Sequence, residues 1–209
     1  MRVSKVVTVL RTHSARQVWN TLKAEIYHNH TMVRHSPCSL CFDVTTVCNM
    51  NCPLCSTKTY RGESVSKHLS LLKAKTLLNK FKSASFVGFC GTGETFLNPD
   101  LFAIVRYATQ LRMKVVITTN GTLLYRRVGE LLTSNIHILE ISLKGVRGED
   151  YARFTGREES EFYSIINSIK ELAQCRNRPK LIISYVCDRN RVYNIPHVVE
   201  IAKECKVDE

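Results

Sequence analysis

A chain of 209 residues with 44% hydrophobic side chains holds material for one large domain or two small ones. It contains no apolar run near the roughly 18–20 residues a membrane span needs. Nine cysteines, an odd count, argue against a disulfide framework at this length and for a reducing compartment, read here as the cytoplasm. The formal net charge of +12 favours anionic partners, yet Lys and Arg are scattered along the chain, so a solvated basic surface is preferred over a nucleic-acid interface.

The first 36 residues carry Arg2, Lys5, Arg11 and Arg16 with no acidic residue before Glu25. Such a stretch resembles an organelle transit peptide; a basic helical lead-in is the preferred reading. Ser14 followed by Gln17 is a capping-box signature. Val18, Trp19, Leu22 and Ile26 then recur at helical spacing and predict a stripe facing the core. His28, His30 and His35 fall in a polar, loop-like stretch and read as surface histidines.

From about residue 40 the pattern becomes regular. Strands are predicted over 42–47, 85–89, 114–118, 138–143 and 181–186. Helices are predicted over 69–81, 100–111, 123–133, 161–175 and 195–205. Residues 204–209 read as a helix end leading into another strand. Alternation of this kind implies a parallel sheet with right-handed crossovers. The strands read as nearly continuous apolar runs, as expected when both faces are buried. Five βα units fall short of the roughly 250 residues of a closed eight-fold barrel. The architecture is therefore α/β, an open partial barrel or a doubly wound sheet.

Chemistry concentrates after the strands. Cys48, Cys52 and Cys55, spaced C-x3-C-x2-C, bring three thiolates within reach of one small cluster. Four would close an iron–sulfur cube; three leave one iron open. The rival is zinc held by Cys38, Cys41, Cys52 and Cys55, two C-x2-C pairs. Against it, a strand over 42–47 would span roughly 20 Å and hold the pairs apart. Gly91-Thr92-Gly93-Glu94 follows the next strand, where glycines let backbone approach a ligand closely. Thr118-Thr119-Asn120-Gly121 follows the third, with side chains suited to ribose or carboxylate, or to plain turn and capping chemistry. Ser142 ends the fourth, with Lys144 and Gly145 beyond.

Taken together these motifs resemble the radical S-adenosylmethionine (radical SAM) superfamily, in particular the branch that modifies peptides and builds cofactors. The resemblance runs from about Leu40 to Glu209. It implies a partial (β/α)6 triose-phosphate-isomerase-type barrel, truncated at the C-terminus, with a helical N-terminal extension over 1–36 and a core over 37–209. It implies that Cys48, Cys52 and Cys55 ligate three irons of a [4Fe-4S] cluster whose fourth iron chelates S-adenosylmethionine. Leu54 would lie against the adenine, and Gly91, Gly93 and Glu94 would hold the methionine amino group. Thr119, Asn120 and Ser142 would contact ribose or carboxylate. The implied activity is reductive cleavage of S-adenosylmethionine and hydrogen abstraction from a peptide, cofactor precursor or RNA nucleotide. The implied partner is a low-potential electron donor, flavodoxin- or ferredoxin-like; the substrate is unknown, and the net positive charge tilts it towards an anionic one. Two departures stand out: Thr95 where proline is usual, and Lys144 where aspartate is frequent, which alters the charge of the pocket. The alternative readings are a zinc-binding, nucleic-acid-docking module and an inactive truncated relative.

Overall fold

The computed structural model describes residues 12–27, 35–55 and 67–209. Five strands, β1 (Ser39–Asp43), β2 (Phe86–Cys90), β3 (Lys114–Thr119), β4 (Ile138–Leu143) and β5 (Lys180–Tyr185), form one sheet in the order β1-β2-β3-β4-β5. Every neighbouring pair is parallel. A doubly wound sheet reverses its order once, at a switch point. Strictly sequential order is instead the order of a barrel wall, which decides between the two α/β readings. The last residues lie along the outer edge of β5: Glu209 N donates to Leu181 O at 3.2 Å and Ile183 N to Glu209 O at 2.9 Å, a parallel pattern.

Helices α1 (Ala15–Tyr27), α2 (Leu71–Lys80), α3 (Leu101–Gln110), α4 (Val128–Thr133), α5 (Gly148–Thr155), α6 (Glu159–Gln174) and α7 (Ile195–Glu204) accompany the strands. On α3, Leu101, Ile104, Val105 and Ala108 are buried at helical spacing; on α6, Phe162, Ile165, Ile169 and Leu172 are. They pack on Val87, Phe89, Val115, Ile117, Leu139 and Ile141, all fully buried. The opposite strand positions are only half-buried, as the alternation of β3 and β4 shows. This departs from strands buried on both faces. The inner, concave face carries Thr118, Glu140 and Ser142 and opens towards the site.

Four expectations are corrected. The first strand ends at Asp43 instead of running over 42–47. Its residues pair with β2 only as far as Asp43 opposite Cys90, and the Val44 carbonyl then accepts from Leu69 N and Asn98 Nδ2. The helix over 123–133 breaks into a 3-10 turn, Leu124–Arg126, and α4. Helix α5 is additional to the expected elements; it closes on Gly156 at φ +71°, a left-handed cap position that glycine tolerates. On α1 the capping box forms, with Ser14 N donating to Gln17 Oε1 at 2.8 Å, but the apolar stripe does not face the core. Val18 is buried, whereas Trp19 and Ile26 are 59% and 63% exposed. The helix docks through amides: Gln17 Nε2 donates to the carbonyls of Ala84 and Leu111, and Asn20 Nδ2 to that of Ser36. Carbonyls left over at turns under the sheet need donors, and these two side chains supply them. His28 and His30, like Arg2, Lys5 and Arg11, lie outside the described residues.

Candidate active site at the carboxyl ends of the strands

A cavity of about 230 Å³ opens at the carboxyl ends of the strands, where parallel α/β sheets place their sites. Every site residue expected from the sequence lines it: Cys48, Cys52 and Cys55 with Leu54 on one side, Gly91, Gly93 and Glu94 on another, and Thr119, Asn120 and Ser142 at the next strand ends. Met50, Thr92, Thr118, Lys144, Phe154 and Val186 complete the lining. Of these, Phe154 lies on α5 and Val186 just past β5, positions that carry no motif.

The glycine loop is shaped by protein backbone. Gly91 adopts φ +127°, and a Cβ there would stand 2.4 Å from Asp43 Oδ1. A Cβ on Gly93 would stand 2.3 Å from the carbonyl oxygen of Val47 and 2.4 Å from that of Thr45. Between them Thr92 donates through Oγ1 to Asp43 Oδ2 at 2.6 Å, and Glu94 N donates to Val47 O at 2.8 Å. The close approach that demands glycine is therefore to the chain entering the cysteine loop, which it locks beside the second strand.

Glu94 is 2% exposed and both carboxylate oxygens are engaged. Oε1 accepts from Thr119 Oγ1 at 2.6 Å and from Phe96 N at 3.1 Å, and Oε2 from Asn120 N at 2.7 Å. Burial raises its pKa, and these three donors pull the other way. Glu94 thus braces the loop after β2 against the loop after β3. Asn120 Nδ2 donates to Asn49 Oδ1 at 2.8 Å, Asn49 Nδ2 to Thr122 Oγ1 at 2.8 Å, and Arg157 Nη1 to Asn49 O at 2.8 Å. The cysteine loop is tied through this chain of bonds to the turn after β3 and to Arg157, just ahead of α6. Thr95, in the place where proline is usual, donates to Thr118 O at 2.7 Å, a side-chain tie that proline would lack.

Across the cavity Lys144 is partly buried and its Nζ donates to Ser142 Oγ at 2.6 Å. Burial lowers its pKa; the thiols of Cys52, Cys55 and Cys48 oppose that shift, and Arg191 adds to it. A cation thus faces the three cysteines.

The zinc set is not assembled. Cys41 lies within β1, its Sγ 3.1 Å from Cys90 Sγ, and Cys38 lies beside Asn20; neither lines the cavity of Cys52 and Cys55. Burial, then the neighbouring Cys41, pushes the Cys90 thiol up to about 12. Among the described residues no three His, Cys, Asp or Glu side chains converge as ligands of a single metal ion. A four-iron cluster distributes its thiolates over separate irons, so Cys48, Cys52 and Cys55 along one cavity wall fit it better than they fit a single ion.

A sequentially ordered parallel sheet, with thiols and glycine turns gathered above its strand ends, defines a partial-barrel α/β protein. The model of the Radical SAM superfamily matches residues 42–205, and the chain belongs to this family. An AdoMet-dependent heme synthase of Methanosarcina barkeri is 30% identical over 176 residues, 81% of this chain and 48% of that protein. A probable GTP 3',8-cyclase of Saccharolobus islandicus is 29% identical over 170 residues, 79% of this chain and 53% of that one. The chain thus spans about half the length of these curated relatives. In fold it is similar to Streptococcus suis SuiB bound to S-adenosylmethionine, with TM-score 0.69 and 19% identity over 92% of this chain and 42% of SuiB. It is also similar to the FeFe-hydrogenase maturase HydG of Carboxydothermus hydrogenoformans, with TM-score 0.62 and 14% identity over 91% of this chain and 46% of HydG. Family membership implies S-adenosylmethionine and a [4Fe-4S] cluster as cofactors.

Proposed function

We propose that this chain carries the cofactor-binding and radical-generating part of a radical SAM enzyme. Its core spans residues 37–209, preceded by an N-terminal extension over residues 1–36. The observation that carries this reading is the convergence of Cys48, Cys52 and Cys55 with Gly91, Gly93, Asn120 and Ser142 on one cavity. When bound, the cluster and S-adenosylmethionine supply the one-electron chemistry that ends in hydrogen abstraction from substrate.

The protein's own residues hold and orient. The three thiolates would hold the cluster. Main-chain groups of 91–93, kept close by Asp43 and the carbonyls of Thr45 and Val47, would receive the methionine amino end. Glu94 acts through Thr119 and Asn120 and sets where they stand against the ribose. Ser142 and Lys144 present a hydroxyl and a cation to a carboxylate. Leu54 would lie against the adenine, and Val186 lines the same cavity. A low-potential, flavodoxin- or ferredoxin-like protein is the electron donor of this reading, and the substrate is anionic. The number of cysteines supports a reducing compartment, read as the cytoplasm.

Anaerobic reconstitution with iron and sulfide tests the proposal. The expected product is a brown protein with roughly four irons per chain that forms 5'-deoxyadenosine from S-adenosylmethionine when reduced. Replacing Cys48 with Ala removes the cluster. A colourless chain that takes up stoichiometric zinc, and keeps it in Cys48→Ala, would end this reading. A stable cluster with no 5'-deoxyadenosine under a competent reductant would favour an inactive relative.

A further inference from the structure

Two buried nitrogen atoms stand without a hydrogen-bond partner, Nε of Arg191 and Nδ1 of His197, and both residues line one cleft. The cleft, about 540 Å³, adjoins the cysteine cavity and shares Leu54 and Phe154 with it. Arg191 is 7% exposed. Its guanidinium carbon lies 3.9 Å from the ring centre of Phe154 and 4.5 Å from that of Tyr185. Nη1 donates to Val186 O at 3.2 Å and Nη2 to Lys144 O at 2.5 Å. These acceptors are neutral carbonyls, and no ion pair involves Arg191 among the described residues.

An arginine does not shed its proton. Ring faces and carbonyls offset part of the cost of burying it, but a buried charge without a counter-charge remains costly. None of the carboxylates on the cleft wall forms an ion pair with Arg191: Asp150 accepts from Val146 N and Asn194 Nδ2, Asp188 accepts from Asn190 N, and Glu149 is exposed. His197 Nε2 lies 3.5 Å from Nη2 of Arg147, which can only donate. An imidazole that accepts from Arg147 through Nε2 carries its proton on Nδ1, the orphaned atom. Both unpartnered atoms belong to side chains that line the cleft.

We propose that this cleft is an oxyanion subsite for substrate. A carboxylate or phosphate group is held there by the charges of Arg191 and Arg147, whose side chains line the cleft, and the adjoining carbon is held over the cysteine cavity. Phe154 packs on Arg191 and lines both spaces, so it sets the span between the anchored anion and the reacting carbon. Arg191 does not line the cysteine cavity itself, whereas Ser142 and Lys144 do; a methionine carboxylate has donors of its own. The identity of the reaction rests on the radical SAM reading, but the subsite needs neither cluster nor cofactor to bind an anion.

Calorimetric titration of the full chain with inorganic phosphate, and separately with acetate, at constant ionic strength tests it. Saturable binding of at least one anion is expected, weakened about tenfold or more in Arg191→Gln, the loss of a charge, and by a smaller factor in Arg147→Ala. A response to phosphate alone marks a phosphorylated substrate; a response to acetate alone marks a carboxylic acid. Circular dichroism checks folding, and if Arg191→Gln does not fold, the double variant Arg147→Ala, His197→Ala carries the test. Absence of saturable binding by both anions, or unchanged affinity in the folded variants, overturns the proposal. Iron loading and 5'-deoxyadenosine formation are measured on the same protein, so a failed subsite with working radical chemistry is distinguishable from a failure of the radical SAM reading.

Discussion

The two walls of the cysteine cavity are built on opposite electrostatic plans. On the β2–β3 side, Glu94, Thr119, Asn120, Asn49 and Thr122 satisfy one another in a closed set of hydrogen bonds. On the β4–β5 side, Lys144 lines the cavity and Arg191 lies behind it; both are desolvated and donate to a hydroxyl and to carbonyls. The first wall is complete as it stands and gives rigidity. The second carries charge that an incoming anion neutralises. A site that must hold one group in fixed geometry and admit another gains from this division, because a satisfied network resists distortion while an unpaired charge favours binding of its complement.

The largest test of that contrast is Gly93→Ala. The new Cβ would meet the Val47 and Thr45 carbonyls at 2.3 and 2.4 Å, and backbone does not rotate away. A loss of about 3 kcal/mol is expected, read from urea unfolding, together with poor retention of iron. A variant as stable as the parent would show that the first wall has slack.

Glu94→Gln comes next. The amide presents a donor where Asn120 N–H or Thr119 O–H needs an acceptor, leaving a buried group unsatisfied at a cost of about 2 kcal/mol. The same urea titration reads the loss, and an unchanged midpoint would mean that the loops after β2 and β3 do not depend on this brace.

Lys144→Met probes the opposite wall. In cluster-free protein it removes a desolvated charge and is expected to be neutral or stabilising by about 1 kcal/mol, while weakening S-adenosylmethionine binding to reconstituted protein. A stability loss exceeding that of Glu94→Gln would break the comparison between the walls.

The smallest effect lies far from the site. Arg178, and then the N–H of Leu181, hold the Asp208 carboxyl below its ordinary value. A depressed carboxyl stabilises the fold above its unfolded pKa and loses that contribution as pH falls through the folded value. Asp208→Asn is therefore expected to lower the thermal midpoint slightly at neutral pH, and the difference from the parent closes in acid.

Much of the site is legible in the sequence. The C-x3-C-x2-C spacing, the glycines and the Thr-Asn-Gly turn each sit within a few residues, and each lies where a predicted strand ends. Strand β4 matches its expected span, because Ile138, Leu139 and Ile141 form an apolar run between turn signals. The end of the first strand is not legible, because 42–47 has the same β-branched composition whether it pairs or turns. It is decided by Asn98, which takes the Val44 carbonyl from a position far along the chain. Helix α5 is hidden because Gly148 and two acids at its start read as a turn. The stripe on α1 misleads because helical period tells which residues share a face and not which face is covered; Gln17 and Asn20 find carbonyls to serve, and Trp19 finds no core.

The information carried by short stretches of chain is local and periodic: a three-thiol loop able to serve a cluster, and an alternation that makes a parallel sheet. Strand order, the engagement of Glu94 with Thr119 and Asn120, the meeting of Cys41 with Cys90, and the burial of Arg191 against the Lys144 carbonyl belong to the folded chain. These contacts join residues some tens of positions apart. Which side chains meet across the sheet depends on the register of each crossover, and register is set by packing the whole apolar layer beneath the strands, which no single segment encodes.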